Sequence, residues 1–219
     1  MKKVFLLILL TFIFASCVAC SSLQEDAKFP PTRVGSEGIV SSRLERKYTL
    51  EEAYRLADVV ALVKVDSWIT DDDDIFQSYY DASVIKAYKG SISESFTLLQ
   101  DGSTKRTMKA YPLFIPGNEF LLFLNIAKDI AYEDAYWIMG SFTTLLDVSY
   151  DASGNMYFMD RYGLLGESVN ISNYASPNPI ANILYKNLIK HDPLIDEIKI
   201  SYPYIFGEAD LDGLFESLQ

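Results

Sequence analysis

The chain has 219 residues, 49% of them hydrophobic, and a formal charge of −11. That is enough apolar material for one domain with a sizeable core, and it excludes a disordered stalk. The acidic balance disfavours nucleic acid and anionic headgroups as partners. Both cysteines, Cys17 and Cys20, fall in the first twenty residues, which excludes a disulfide framework and a thiol nucleophile in any later folded part.

The chain opens Met1-Lys2-Lys3, continues as an apolar run from Val4 to Phe14, and ends that run on Ala15-Ser16-Cys17-Val18-Ala19-Cys20. The run is shorter than the ~20 residues a transmembrane helix needs. Two lysines, a short apolar stretch and small residues before a cysteine are the layout of an export signal. The cysteine ending resembles the lipobox of bacterial lipoproteins. That resemblance implies a signal peptide over 1–16 and a diacylglyceryl thioether on Cys17, with Cys20 as the alternative acceptor. It also implies a palmitate-class anchor, an outward-facing place on a cell membrane, and the membrane as first partner. Two acyl chains suffice for stable anchoring. Loss of Lys2 and Lys3 with the leader takes the formal charge to −13.

Residues 17–46 are polar and mixed, with Pro30-Pro31, Gly35 and Gly38, and read as a lipid anchor followed by a tether. The folded domain is expected over 47–219. Thr49-Leu50-Glu51-Glu52 is a capping box, and the apolar spacing after it predicts a helix from Thr49 to Ala57. Val59 to Val65 predicts a buried strand. The four acids Asp71 to Asp74 predict a loop. Further strands are expected at Tyr79 to Tyr88, Ser95 to Gln100 and Asn118 to Asn125, and from Tyr136 to Leu146 with a break at Gly140. Thr104 to Ala110 reads as loop. Asp151 to Asn155 is hairpin chemistry between Val148–Tyr150 and Met156–Met159. Helices are expected at Ile180 to Lys190 and Leu211 to Leu218. The fifteen Tyr and thirteen Phe, with many β-branched residues, favour strands, and too few helices fall between those strands for parallel βαβ pairing. The expected class is mainly β (α+β): a small closed barrel with a short N-terminal helix and C-terminal helical segments.

The order of segments carries a second resemblance. Ala57-Asp58-Val59-Val60-Ala61-Leu62-Val63-Lys64-Val65, Ala87-Tyr88-Lys89-Gly90, Pro112 to Leu124 and Tyr136 to Phe142 follow one another as in a family of uncharacterised bacterial exported proteins and lipoproteins. The series is also similar, more distantly, to the netrin-like domain of metalloproteinase inhibitors. Both imply an OB-fold barrel. Leu62 stands where the pattern has glycine. The inhibitor mechanism, which needs a free N-terminal cysteine amine and disulfides, does not carry over to a chain whose candidate N-terminal cysteine is lipidated.

Chemistry is sparse in the sequence. His191 is the one histidine, at an expected helix end, and no second histidine or thiol completes a metal site or a triad. Asp71 to Asp74 and Asp210-Leu211-Asp212-Gly213 lack the spacing of a calcium loop. Phosphate-cradling glycine motifs and G-x-S-x-G are absent. No catalytic residue, metal or cofactor is assigned. The expected function is a non-enzymatic binding or interaction module in the cell envelope, with a protein or glycan as its partner. The alternative is an envelope glycan or peptide hydrolase that uses a carboxylate pair. OB barrels bind on the face of strands two and three, so Tyr79 and Tyr80, with Trp68, are the candidate binding residues.

Overall fold

The computed structural model describes residues 27–35, 48–107, 111–128, 130–160, 181–197 and 204–218. The expected leader, Cys17, Cys20 and the rest of the expected tether lie outside the described residues, as do Met108 to Ala110 and Ile180.

The capping box forms as the sequence predicts. Thr49 Oγ1 accepts from Glu52 N at 3.1 Å, Glu52 Oε2 accepts from Thr49 N at 3.2 Å, and helix α1 runs Leu50–Leu56. Five strands follow: β1 (Val59–Asp72), β2 (Gln77–Lys89), β3 (Ser95–Asp101), β4 (Glu119–Ile126) and β5 (Ala135–Ile138). They pair in the order β1-β2-β3-β5-β4, and β4 pairs back onto β1, so the sheet closes on itself. The β3–β5 pairing is parallel and the other four are antiparallel. The protein is mainly β, built on a closed five-stranded OB-like barrel.

The runs Val59–Val65 and Phe120–Leu124 are apolar at every position but Lys64 because β1 and β4 are buried on both faces. Val59, Ala61, Val63, Phe120, Leu122 and Leu124 point into the barrel, beside Tyr80, Phe96, Leu98 and Phe114. Val60, Leu62, Leu121 and Phe123 point outward into a second core, which α1 closes with Leu50, Ala53 and Tyr54.

Tyr136 to Leu146 breaks at Gly140 as expected, and the break divides it between two strands. Gly140 (φ 66°) and Ser141 (φ 59°) both take the left-handed conformation, and a 3-10 turn follows over Ser141–Thr144. The chain stays on the same edge of β4 throughout. Strand β5 pairs with Leu124–Ile126, and strand β6 (Leu145–Tyr150) pairs with Phe120–Leu122. The break lets β6 leave the barrel and start an outer sheet with β7 (Met156–Asp160) and β8 (Tyr204–Gly207). Phe158 and Phe206 of that sheet complete the second core. Helix α2 (Ala181–His191) covers its other face through Leu184 against Met159 and Ile205. A short helix α3 (Leu194–Glu197) follows α2, and α4 (Glu208–Ser217) stacks Phe215 on Tyr54 at 4.8 Å between ring centroids. Strand β8 and helix α3 have no counterpart in the sequence expectations.

The acid run also differs from expectation. Asp71 and Asp72 end β1, which continues well past Val65 as a bulged ribbon with β2, and only Asp73 and Asp74 lie in the turn. Each of the first three is committed separately. Asp71 accepts from Trp68 Nε1 (3.0 Å), Ser78 Oγ (2.6 Å) and Thr104 N (2.7 Å). Asp72 Oδ1 accepts from Asp74 N at 3.0 Å, and Asp73 pairs with Lys105 at 2.6 Å. Hydrogen bonding to Lys105 holds the Asp73 carboxyl below its ordinary pKa.

Gly140→Ala tests the hinge between barrel and outer sheet. A Cβ there would stand 2.6 Å from Thr143 Oγ1 and 2.9 Å from the Tyr48 ring. The left-handed backbone alone adds a cost of about 1–2 kcal/mol. Urea denaturation is expected to show a loss of at least that size; an unchanged midpoint would show that the hinge does not need the conformation.

Candidate functional site

Residues 27–35 fall in the stretch expected to be tether, yet they lie on the barrel as a strap. Lys28 O accepts from Trp68 N at 2.8 Å, and Lys28 Nζ donates to Ile69 O at 2.8 Å. Pro30 is buried. Arg33 Nε donates to Leu113 O at 2.7 Å, and Leu113 N returns a bond to Arg33 O at 3.0 Å. The Arg33 guanidinium then forks onto Asp192, Nη1 to Oδ1 and Nη2 to Oδ2, the second at 2.7 Å. The side chains of this pair are 17% and 4% exposed. At the far end Gly35 N donates to Thr107 Oγ1 at 2.7 Å, with the Lys105–Arg106 peptide so close that a Cβ on Gly35 would stand 2.2 Å from it.

Between the strap and the outer side of the β1–β2 ribbon lies a groove of about 1010 Å³. Its lining includes Lys28, Phe29, Lys64, Asp66, Trp68 and Asp81. Phe29 is 57% exposed. The Lys28 ammonium sits 4.5 Å from the Trp68 ring centroid, within cation–π range, while the indole N–H is taken by Asp71. The two groove acids each accept from a serine: Ser83 Oγ donates to Asp66 Oδ1 at 3.2 Å, and Ser67 Oγ donates to Asp81 Oδ2 at 2.9 Å. The arrangement offers two aromatic side chains, two ammonium groups and two carboxylates within one concavity. That mix suits a polar ligand with an apolar face.

The candidate residues separate here. Trp68 lines the groove, but Tyr79 and Tyr80 do not. Tyr80 is fully buried inside the barrel, where its hydroxyl donates to Gln100 Oε1 at 3.0 Å and burial drives its pKa far above the ordinary phenol value. Tyr79 faces outward, but its ring packs 4.9 Å from Tyr132 of the β4–β5 connection. Ile130 and Trp137 pack on the same cluster. The face of strands two and three is thus covered at Tyr79 by the chain itself, and neither tyrosine offers a ring to a partner. Trp137 belongs to that cover.

The remaining candidates have structural posts. His191 ends α2 beside Gly117, and lines a separate hollow of about 340 Å³ with Tyr150 and Asn187. Asp210 Oδ2 accepts from Gly207 N at 3.3 Å, at the start of α4. Asp212 pairs with Lys86 at 2.9 Å. Among the described residues, no three His, Cys, Asp or Glu side chains gather as a metal-ligand set.

Sequence reasoning missed Lys28, Phe29, Lys64, Asp66 and Asp81. One signal was present: Phe29-Pro30-Pro31 places a large aromatic residue beside two stiff ones in an otherwise polar stretch. No family model and no curated protein matches the chain.

The strap's hold is testable through its ion pair. Arg33→Met leaves the Asp192 carboxylate buried without its partner and is expected to cost about 3–5 kcal/mol. Arg33→Met combined with Asp192→Leu is expected to recover most of that loss. Urea denaturation of the two variants checks it, and a single variant as stable as the parent would show that the pair does not hold the strap.

Proposed function

We propose that the protein is a lipid-anchored, extracytoplasmic binding module whose ligand, an envelope glycan or peptide, occupies the groove between the strap and the β1–β2 ribbon. The observation that carries this reading is the mixed lining of that groove, with Trp68 and Phe29 beside Lys28, Lys64, Asp66 and Asp81. Aromatic faces bury the apolar side of a sugar or a peptide side chain. The charged groups and the serine hydroxyls satisfy its polar side. The leader motif, with Lys2-Lys3, the short apolar run and Cys17 or Cys20, supports the anchored, outward-facing address.

The binding role rests on positioning, not on bond-making. The groove's carboxylates accept hydrogen bonds from serines, and the chain's one histidine stands in a different hollow.

Two experiments follow. In a Trp137→Phe background, Trp68 is the sole tryptophan, and titration with envelope glycan fragments or peptides is expected to shift its emission. Trp68→Ala, followed by calorimetry, is expected to weaken that binding tenfold or more, about 1.4 kcal/mol. A set of fragments that leaves both signals unmoved would remove the groove as the site. Separately, replacing both Cys17 and Cys20 by Ala is expected to move the protein from the membrane fraction to the soluble one. Persistence in the membrane fraction would sink the anchor.

A further inference from the structure

The strap changes how far the barrel can stand from its anchor. A tether over 17–46 would span up to about 100 Å when extended. The described strap begins at Ala27, and Lys28 is already bonded to β1. Only seven residue steps separate Cys20 from Ala27, and ten separate Cys17 from it. Fully extended, these reach about 25 Å and about 35 Å. A domain of this size is about 40 Å across, and half its circumference is about 60 Å. A leash shorter than the domain's width cannot pass around to the opposite side. The side opposite the entry point is therefore kept off the bilayer, and the leash favours the face at which it enters as the one turned to it.

Ala27, Lys28 and Phe29 all line the groove. From this we infer that the mouth of the groove is apposed to the membrane surface and that a phospholipid headgroup layer is the partner of the strap face. The inference rests on the lipid anchor proposed above. Two features of the face agree with it. Phe29 is 57% exposed at the point of entry, and aromatic side chains partition to the headgroup level. Lys28 and Lys64 balance Asp66 and Asp81 in the lining, so this face of a strongly acidic chain carries no net charge to repel phosphates. The ligand of the groove would then be met within the headgroup layer, not in the open envelope space.

The test uses the mature, lipidated chain in phosphatidylcholine vesicles, with whichever of Cys17 and Cys20 lacks the lipid replaced by Ser. The rest of the chain has no cysteine, so single labelling sites can be introduced. Lys64→Cys puts a fluorophore on the groove rim. Leu56→Cys puts one on the exposed last residue of α1, beyond the far end of the Val59–Lys64 stretch, which itself spans about 17 Å. A headgroup-attached quencher is expected to quench the label at position 64 several-fold more than the label at position 56. Inserting about twenty Gly/Ser residues after Asp26 is expected to abolish that difference, since a flexible linker of that length frees the orientation. Vesicle flotation and intact mass report the anchor independently. Equal quenching at the two positions in a protein that floats would overturn the orientation and leave the anchor standing. A difference that survives the insertion would show that the leash does not set it. A chain that neither floats nor carries lipid mass would overturn both.

Discussion

Strand β4 forms ladders with three strands at once, and the architecture depends on it. One edge pairs with β1 over Val59–Lys64 and closes the barrel. The other edge is divided between β5 and β6. Over Phe120–Leu124 its side chains alternate between the barrel interior and the outer core, so no face is left for water there. That stretch admits neither a polar residue nor a register slip, because a slip of one residue would exchange the two cores. The helices α1 and α4 and the outer sheet are added to the face that β4 and β1 present outward. The groove, by contrast, forms where β1 outruns β4: past Val65, which still bonds to Gly117 and Asn118, the ribbon has β2 on one side and, among the described residues, the strap on the other.

The chain is poor in bases, and several of them act as staples between the barrel and its additions. Lys89 Nζ donates to the carbonyls of Tyr54, Arg55 and Ala57 at 2.7–2.9 Å, closing the C-terminal end of α1 where orphan acceptors and the helix dipole favour a cation. Lys86 reaches Asp212 and Glu208 on α4. Burial pulls its pKa down, and the two carboxylates with Tyr88 more than offset that pull, so it stands raised. Arg33 fastens the strap to Asp192. The acidic surplus is left for the surface, so the overall charge says little about the groove, where both signs meet.

Most of the barrel was legible because local signals agreed with the global fold. The capping box at Thr49–Glu52, the β-branched run at Val59 and the turn at Asp151–Asn155 each formed where the residues placed them. Periodicity failed where the tertiary context supplied the reason for a conformation. The run from Tyr136 to Leu146 breaks at Gly140 as its sequence indicates, but nothing local says that the left-handed pair Gly140–Ser141 divides barrel from outer sheet. Strand β8 is four residues long and exists because β7 offers it an edge. The site was less legible than the fold. Tyr79 and Tyr80 sit on the strand that the OB-like topology points to, but pleat alternation sends Tyr80 inward, and Tyr132 covers Tyr79. Of the three candidates, Trp68 alone lines the groove. Its neighbours in the groove come from a stretch whose polar composition hides a set of long-range hydrogen bonds, and no local pattern announces a contact made across 159 positions.

That separation bears on how the molecule is made. Synthesis delivers the N-terminal part first, yet Arg33 must wait for Asp192, near the other end of the chain, before it has a counterion. Leu113 and Thr107, its other neighbours in the strap's seat, also arrive long after it. Closing a loop of that length carries an entropic cost that only an already formed barrel can offset. The seat of the strap is thus complete only once Asp192 is in place, and until then the groove beside Trp68 lacks one wall.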